Sequence, residues 1–129
     1  MFYVFSYTPS GADTEEAPHV LEMHLSAGVI HQVDVLFQDG CNHEEFVQIV
    51  LGGYQLWPSN REESLRGNAT AVSFREFFEL EAGENILKAL IWTTLSADFK
   101  EVIIQVGVLP KEILQPLSFE ELLRAARGL

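Results

Sequence analysis

A chain of 129 residues is short for two domains, yet long enough to bury one core without help from metals or disulfides. Hydrophobic residues make up 47% and charged ones 21%, an ordinary globular balance that argues against disorder. The 19 acidic and 8 basic side chains give a formal net charge of −11, and a surface of that sign repels phosphate backbones, which argues against nucleic-acid binding.

In chain order the dominant period is two, the signature of strands. Phe2 to Tyr7 reads as a short aromatic strand followed by the polar loop TPSGADTEEAP. It lacks the basic start and long apolar stretch of a secretion signal. Val20 to Leu25 alternates with Leu21, Met23 and Leu25 on one face, and Ser26-Ala27-Gly28 turns the chain. Val29 to Phe37 then places Val29, Val33, Val35 and Phe37 together, before the turn signal Asp39-Gly40. Phe46 to Leu51 and Tyr54 to Trp57 flank Gly52-Gly53. A two-residue turn there predicts Leu51 beside Tyr54 and Ile49 beside Leu56.

Residues 58–68, PSNREESLRGN, have no period and read as an exposed, mobile loop. Removing Glu62 to Leu65 from such a loop would change stability by no more than about 1 kcal/mol. Asn68-Ala69-Thr70 fits the glycosylation pattern, but with no export signal the match is read as chance. Ala69 to Phe74 and Phe77 to Leu80 read as strand segments joined by a bend near Arg75. Ala82 to Asn85 turns the chain into Ile86 to Leu95, and Glu101 to Leu109 is the last strand. About eight strands with frequent turns predict an all-β chain, a β-sandwich in the jelly-roll arrangement over residues 1–109. The expected core is Val33, Val35, Phe37, Ile49, Leu56, Phe74, Ile91, Trp92, Ile104 and Val106.

The pattern changes at 110–129, read as an arm ending in a short helix. Pro110 and Pro116 end the strand grammar. Ser118 and Glu121 form a capping box, and Phe119, Leu122, Leu123 and Ala126 fall on one helical stripe. So short a helix is unstable alone in water, so its stripe is expected to dock on a partner.

Motifs for phosphate loops, dinucleotide binding, zinc proteases and the nucleophile elbow are missing, so the chain reads as non-enzymatic with no cofactor. Glu22, His24 and His31 would share a face if residues 26–28 made a hairpin, and two imidazoles with a carboxylate can ligate zinc. The plainer reading is three polar residues on a solvated face, with no metal. Cys41 and His43 beside a turn are a weak hint of a thiol nucleophile, and DGCNHEE lacks the spacing of a calcium loop. As the single cysteine, Cys41 offers no internal disulfide. Aromatic residues make up 11%, which could serve sugar binding, but Trp57, Trp92 and Phe77-Phe78 sit in apolar strands and read as core. No apolar run approaches the roughly 18 residues of a membrane helix.

Three phrases, IHQVDVLFQDGC, GGYQLWPSN and VGVLPKEILQP, resemble small β-sandwich proteins encoded by tailed phages and prophage-like regions. The resemblance spans residues 29–116. It implies a virion component, such as a capsid decoration or accessory particle protein, assembled in the host cytoplasm, and carries no catalytic residue. The expected partners are copies of the chain or a larger protein assembly, with no nucleic acid and no membrane. The expected contacts are Phe119, Leu122, Leu123 and Ala126, with Arg61, Glu62, Glu63 and Arg66 of the polar loop. The alternative is a soluble binding module, for carbohydrate or as an acidic inhibitor of a host protein; outside a virion either would be cytoplasmic.

Overall fold

The computed structural model describes residues 1–83 and 85–110. The strands are β1 (Phe2–Tyr7), β2 (His19–Leu25), β3 (Gly28–Phe37), β4 (Glu45–Leu51), β5 (Tyr54–Trp57), β6 (Thr70–Leu80), β7 (Asn85–Thr93) and β8 (Val102–Leu109). They form two antiparallel four-stranded sheets, ordered β1-β8-β3-β6 and β2-β7-β4-β5. The expected helix and its stripe, Phe119, Leu122, Leu123 and Ala126, lie outside the described residues. No helix among the described residues is long and apolar enough to cross a membrane.

Alternation explains how the sheets meet. Val33, Val35 and Phe37 of β3 pair with Val106, Ile104 and Val102 of β8, and all six are buried. Met23, Val47, Ile49, Leu87, Ala89 and Ile91 of the other sheet join them in one apolar cluster. Burying such side chains contributes about 1.5–3 kcal/mol each before ordering costs, the main stabilisation of this sandwich-like all-β fold.

Four details differ from the sequence reading. First, the turns at residues 26–27 and 39–40 are not hairpin turns, because each passes the chain from one sheet to the other; of the consecutive strands only β4 and β5 pair. Gly28 sits at one of these crossovers, with a φ of +152° and Leu109 O only 2.6 Å from where a Cβ would lie. Second, β3 carries an irregularity between Ile30 and Gln32 that shifts its phase, so Ile30 rather than Val29 joins the core cluster. The same irregularity, facing Arg75 to Phe78, replaces the expected bend; β6 runs unbroken.

Third, Leu51 pairs with Tyr54 as expected, but a bulge sets Ile49 opposite Trp57 in place of Leu56. Leu56 and Phe74 are half-buried against the core rather than within it. Fourth, Trp92 is buried yet points away from the core. It alternates with Ile91 and stacks on Phe46 of β4 at 5.5 Å.

Candidate functional site: the long-loop end and the adjoining trough

Antiparallel order sends the connections to two ends of the molecule. Those at 26–27 and 52–53 are two-residue turns, and the step from Leu80 to Asn85 is nearly as short. The connections 8–18, 38–44, 58–69 and 94–101 all gather at the opposite end. Every described non-glycine residue with positive φ lies there: Asn42 (51°), His43 (58°), Glu62 (71°), Ala69 (50°) and Asp98 (56°). Side chains with a Cβ rarely adopt this region, and loops that hold them there are tied down by other contacts.

Those contacts are visible. Asn68 Oδ1 accepts from Gly40 N at 2.9 Å and Asn42 N at 3.0 Å, which clamps the 38–44 loop. Glu44 O accepts from Thr94 N and from Thr93 Oγ1, both at 2.9 Å, tying the start of the 94–101 loop to the end of the 38–44 loop. Thr93 N donates to Asp13 O, which brings in the 8–18 loop.

The three buried polar or charged residues among those described, Asp13, Glu45 and Thr93, are all at this end. Tyr7 stacks on His19 at 3.6 Å, and its hydroxyl donates to Asp13 Oδ2 at 2.6 Å; Ser10 N donates to the same oxygen at 2.9 Å. Burial alone would raise the Asp13 carboxyl, but the bonds from Tyr7 and Ser10, with the nearby His19, hold it below its ordinary value. The same bond to Asp13, with burial, pushes Tyr7 up to about 12.

Glu45 is fully buried. Its Oε1 accepts from Lys100 N at 2.8 Å, while Oε2 has no hydrogen-bond partner among the described residues, and burial raises its pKa. Cys41 is buried beside it and its thiol is pushed up, first by burial and then by the Glu45 charge. That is the reverse of the lowered pKa an attacking thiolate needs. His43 faces solvent.

On the outer face of the second sheet an open trough of about 780 Å³ runs from this end along the strands. Gln48, Gln55, Leu90 and Trp92 form its floor, with Glu15, Arg61, Glu62 and Glu63 around it. The 58–69 loop is held beside it. Gln48 Nε2 donates to Glu63 O at 2.8 Å, Gln55 Nε2 donates to Pro58 O at 2.7 Å, and Leu65 exchanges both backbone bonds with Val47. The expectation of an unanchored loop is thereby corrected. Residues 59–63 are exposed, but Gly67 is buried and Leu65 half-buried.

Of the residues singled out from the sequence, Arg61, Glu62 and Glu63 share the trough, while Arg66 is exposed and does not line it. Glu22 and His24 are neighbours on β2, 3.5 Å apart. His31 lies on β3 in the other sheet, edge-on to Phe2, with a buried Nε2 that has no hydrogen-bond partner among the described residues. The supposed hairpin face therefore does not form. No cluster of three metal-ligating side chains occurs among the described residues. The Asp13, Glu45 and Asn68 anchors escaped the sequence reading because each is a single polar residue, Asp13 and Asn68 within loops and Glu45 at the first position of β4; the lengths of the loops were the available signal.

No family model, no curated protein and no solved structure matches this chain.

Proposed function

We propose that this chain is a non-enzymatic assembly module, a jelly-roll sandwich that associates with its own copies or docks on a larger protein particle. The observation that carries the reading is the strand order, β1-β8-β3-β6 facing β2-β7-β4-β5, which supports assigning the sandwich to the jelly-roll class. Viral capsid subunits are built on this architecture, and so are lectins. The resemblance to tailed-phage proteins favours the particle role, as a decoration or accessory protein of a virion, with the 110–129 arm as one contact. Native mass spectrometry of the full chain is the test. A stable homo-oligomer, or binding to a capsid-sized partner, supports the reading; a monomer that binds no particle refutes it.

The trough favours a second reading, a soluble binding module for carbohydrate or a host protein. Its Gln, Glu and Arg groups offer both donors and acceptors, as polyol recognition requires. Trp92, however, is only 6% exposed and gives a sugar little to stack on. Glycan binding that is lost in Glu62→Ala would raise this reading above the first.

A further inference from the structure

A strand at the edge of a sheet presents unpaired backbone groups, and proteins ordinarily blunt such edges with charge, proline, bulges, short length or a covering loop. Among the described residues, three of the four sheet edges are blunted. β6 carries Arg75, Glu76 and Glu79 and the irregularity opposite His31. β2 follows Pro18 and carries Glu22 and His24. β5 has four residues, is followed by Pro58, and the Leu65 bridge continues along the strand it pairs with.

The fourth edge is β1, FYVFSY, which has no charge, no proline and no bulge in its pairing with β8. Met1 exchanges both backbone bonds with Val108. Antiparallel pairing alternates, so the N–H and C=O groups of Tyr3, Phe5 and Tyr7 also point at β8, and those of Phe2, Val4 and Ser6 point outward. The side chains alternate too. Tyr3, Phe5 and Tyr7 pack against the core, while Phe2 and Val4 are 63% and 61% exposed on the outer face.

We propose that β1 is a dimer interface, and that its occupant is β1 of a second copy, paired antiparallel about a twofold axis through Val4. This deepens the assembly reading by naming the surface. Val4 then faces its own counterpart and Phe2 faces the partner's Ser6, so that about six backbone bonds join two four-stranded sheets into one. A strand without charge suits a copy of itself. In a chain of net charge −11 it is a place where two copies can meet without opposing carboxylates. A twofold contact of identical patches is also the commonest way for a chain to close an oligomer.

The experiment uses the full chain. A hydrogen-bonded pair across the twofold has Cα atoms about 5.5 Å apart, within the roughly 4.4–6.8 Å a disulfide spans. Val4→Cys should therefore cross-link into a covalent dimer under mild oxidation. Phe77→Cys, comparably exposed at 51% on β6, should not, and native Cys41 is buried. In sedimentation velocity the wild type should dimerise, more tightly as salt screens the repulsion between copies. Val4→Lys should weaken the dimer by at least about tenfold while the circular dichroism of the monomer is unchanged. Equal cross-linking at both positions, a wild type that stays monomeric at about 100 μM, or a Val4→Lys protein that dimerises like the wild type overturns the proposal. If assembly survives Val4→Lys but is lost on truncation after Leu109, the β1 interface is refuted while the assembly reading stands.

Discussion

Removing the hydroxyl of Tyr7 tests whether the long-loop end is held by its buried polar contacts. Tyr7→Phe deletes one donor to Asp13 Oδ2 and leaves the ring stacked on His19. A hydrogen bond to a charged group contributes about 1.5–3 kcal/mol, and partial exposure of Tyr7 brings the expected loss to about 1–2 kcal/mol. Asp13→Ala should cost more, about 2–4 kcal/mol, because it also strips the acceptor from Ser10 N. Since both changes remove the same bond, the double variant should be less destabilised than the sum, by about 1 kcal/mol or more. The pH signs follow from the shifts. Asp13, held below its ordinary value, contributes stability above the usual carboxylate range that is lost as pH falls through its folded pKa. Tyr7, raised to about 12, contributes stability below its ordinary value of 10.0 that is lost as pH rises through about 12. Urea unfolding of the four proteins between pH 3 and 11, followed by tryptophan fluorescence, measures these effects. Additive losses, or an alkaline slope unchanged in Tyr7→Phe, would refute the reasoning.

Glu45→Gln should stabilise the protein at pH 8 by about 1–2 kcal/mol, since an amide avoids ionising in the core. Because burial raises the Glu45 pKa, the native state holds its proton more tightly, so wild-type stability should fall as pH rises from the ordinary carboxylate range through the folded value, a slope that urea melts should find missing in the variant. Asn68→Ala unpairs Gly40 N and Asn42 N and should cost about 1–2 kcal/mol, with faster amide exchange confined to residues 38–44. Deleting Glu62 to Leu65 should cost about 2–4 kcal/mol, well above the 1 kcal/mol expected of a solvated loop, since it strips Val47 of both bonds to Leu65; chemical denaturation decides between the two values. Ile49→Ala, at a fully buried position, should lose about 2–5 kcal/mol by the same assay.

Apart from β6, which read as two segments, the strands were legible in the sequence because alternation is a local property, written into each segment by the need to present one face to a core. Val33, Val35 and Phe37 could be assigned inward from their spacing alone, and they are. Phase was harder. The irregularity at His31 inserts a half-step that no spacing announces, and it exchanges Val29 for Ile30 in the core cluster. Trp92 shows the same limit, since in a fully apolar strand both faces look alike and only the stack on Phe46 reveals that its face covers the outside of a sheet. Partnership between strands was not legible. Glycine and aspartate at residues 39–40 mark a reversal, but a tight hairpin and a step between sheets use the same turn chemistry, so the turn does not reveal that β3 and β4 lie in opposite sheets. Of the candidate site, Arg61, Glu62 and Glu63 could be singled out from the polar loop, but the trough they border and its anchors belong to that tertiary level. Asp13, Glu45 and Asn68 stand far apart in the chain and acquire meaning only where four long loops are brought to one end. There, burial makes each unpaired polar group costly and so fixes which partners it takes.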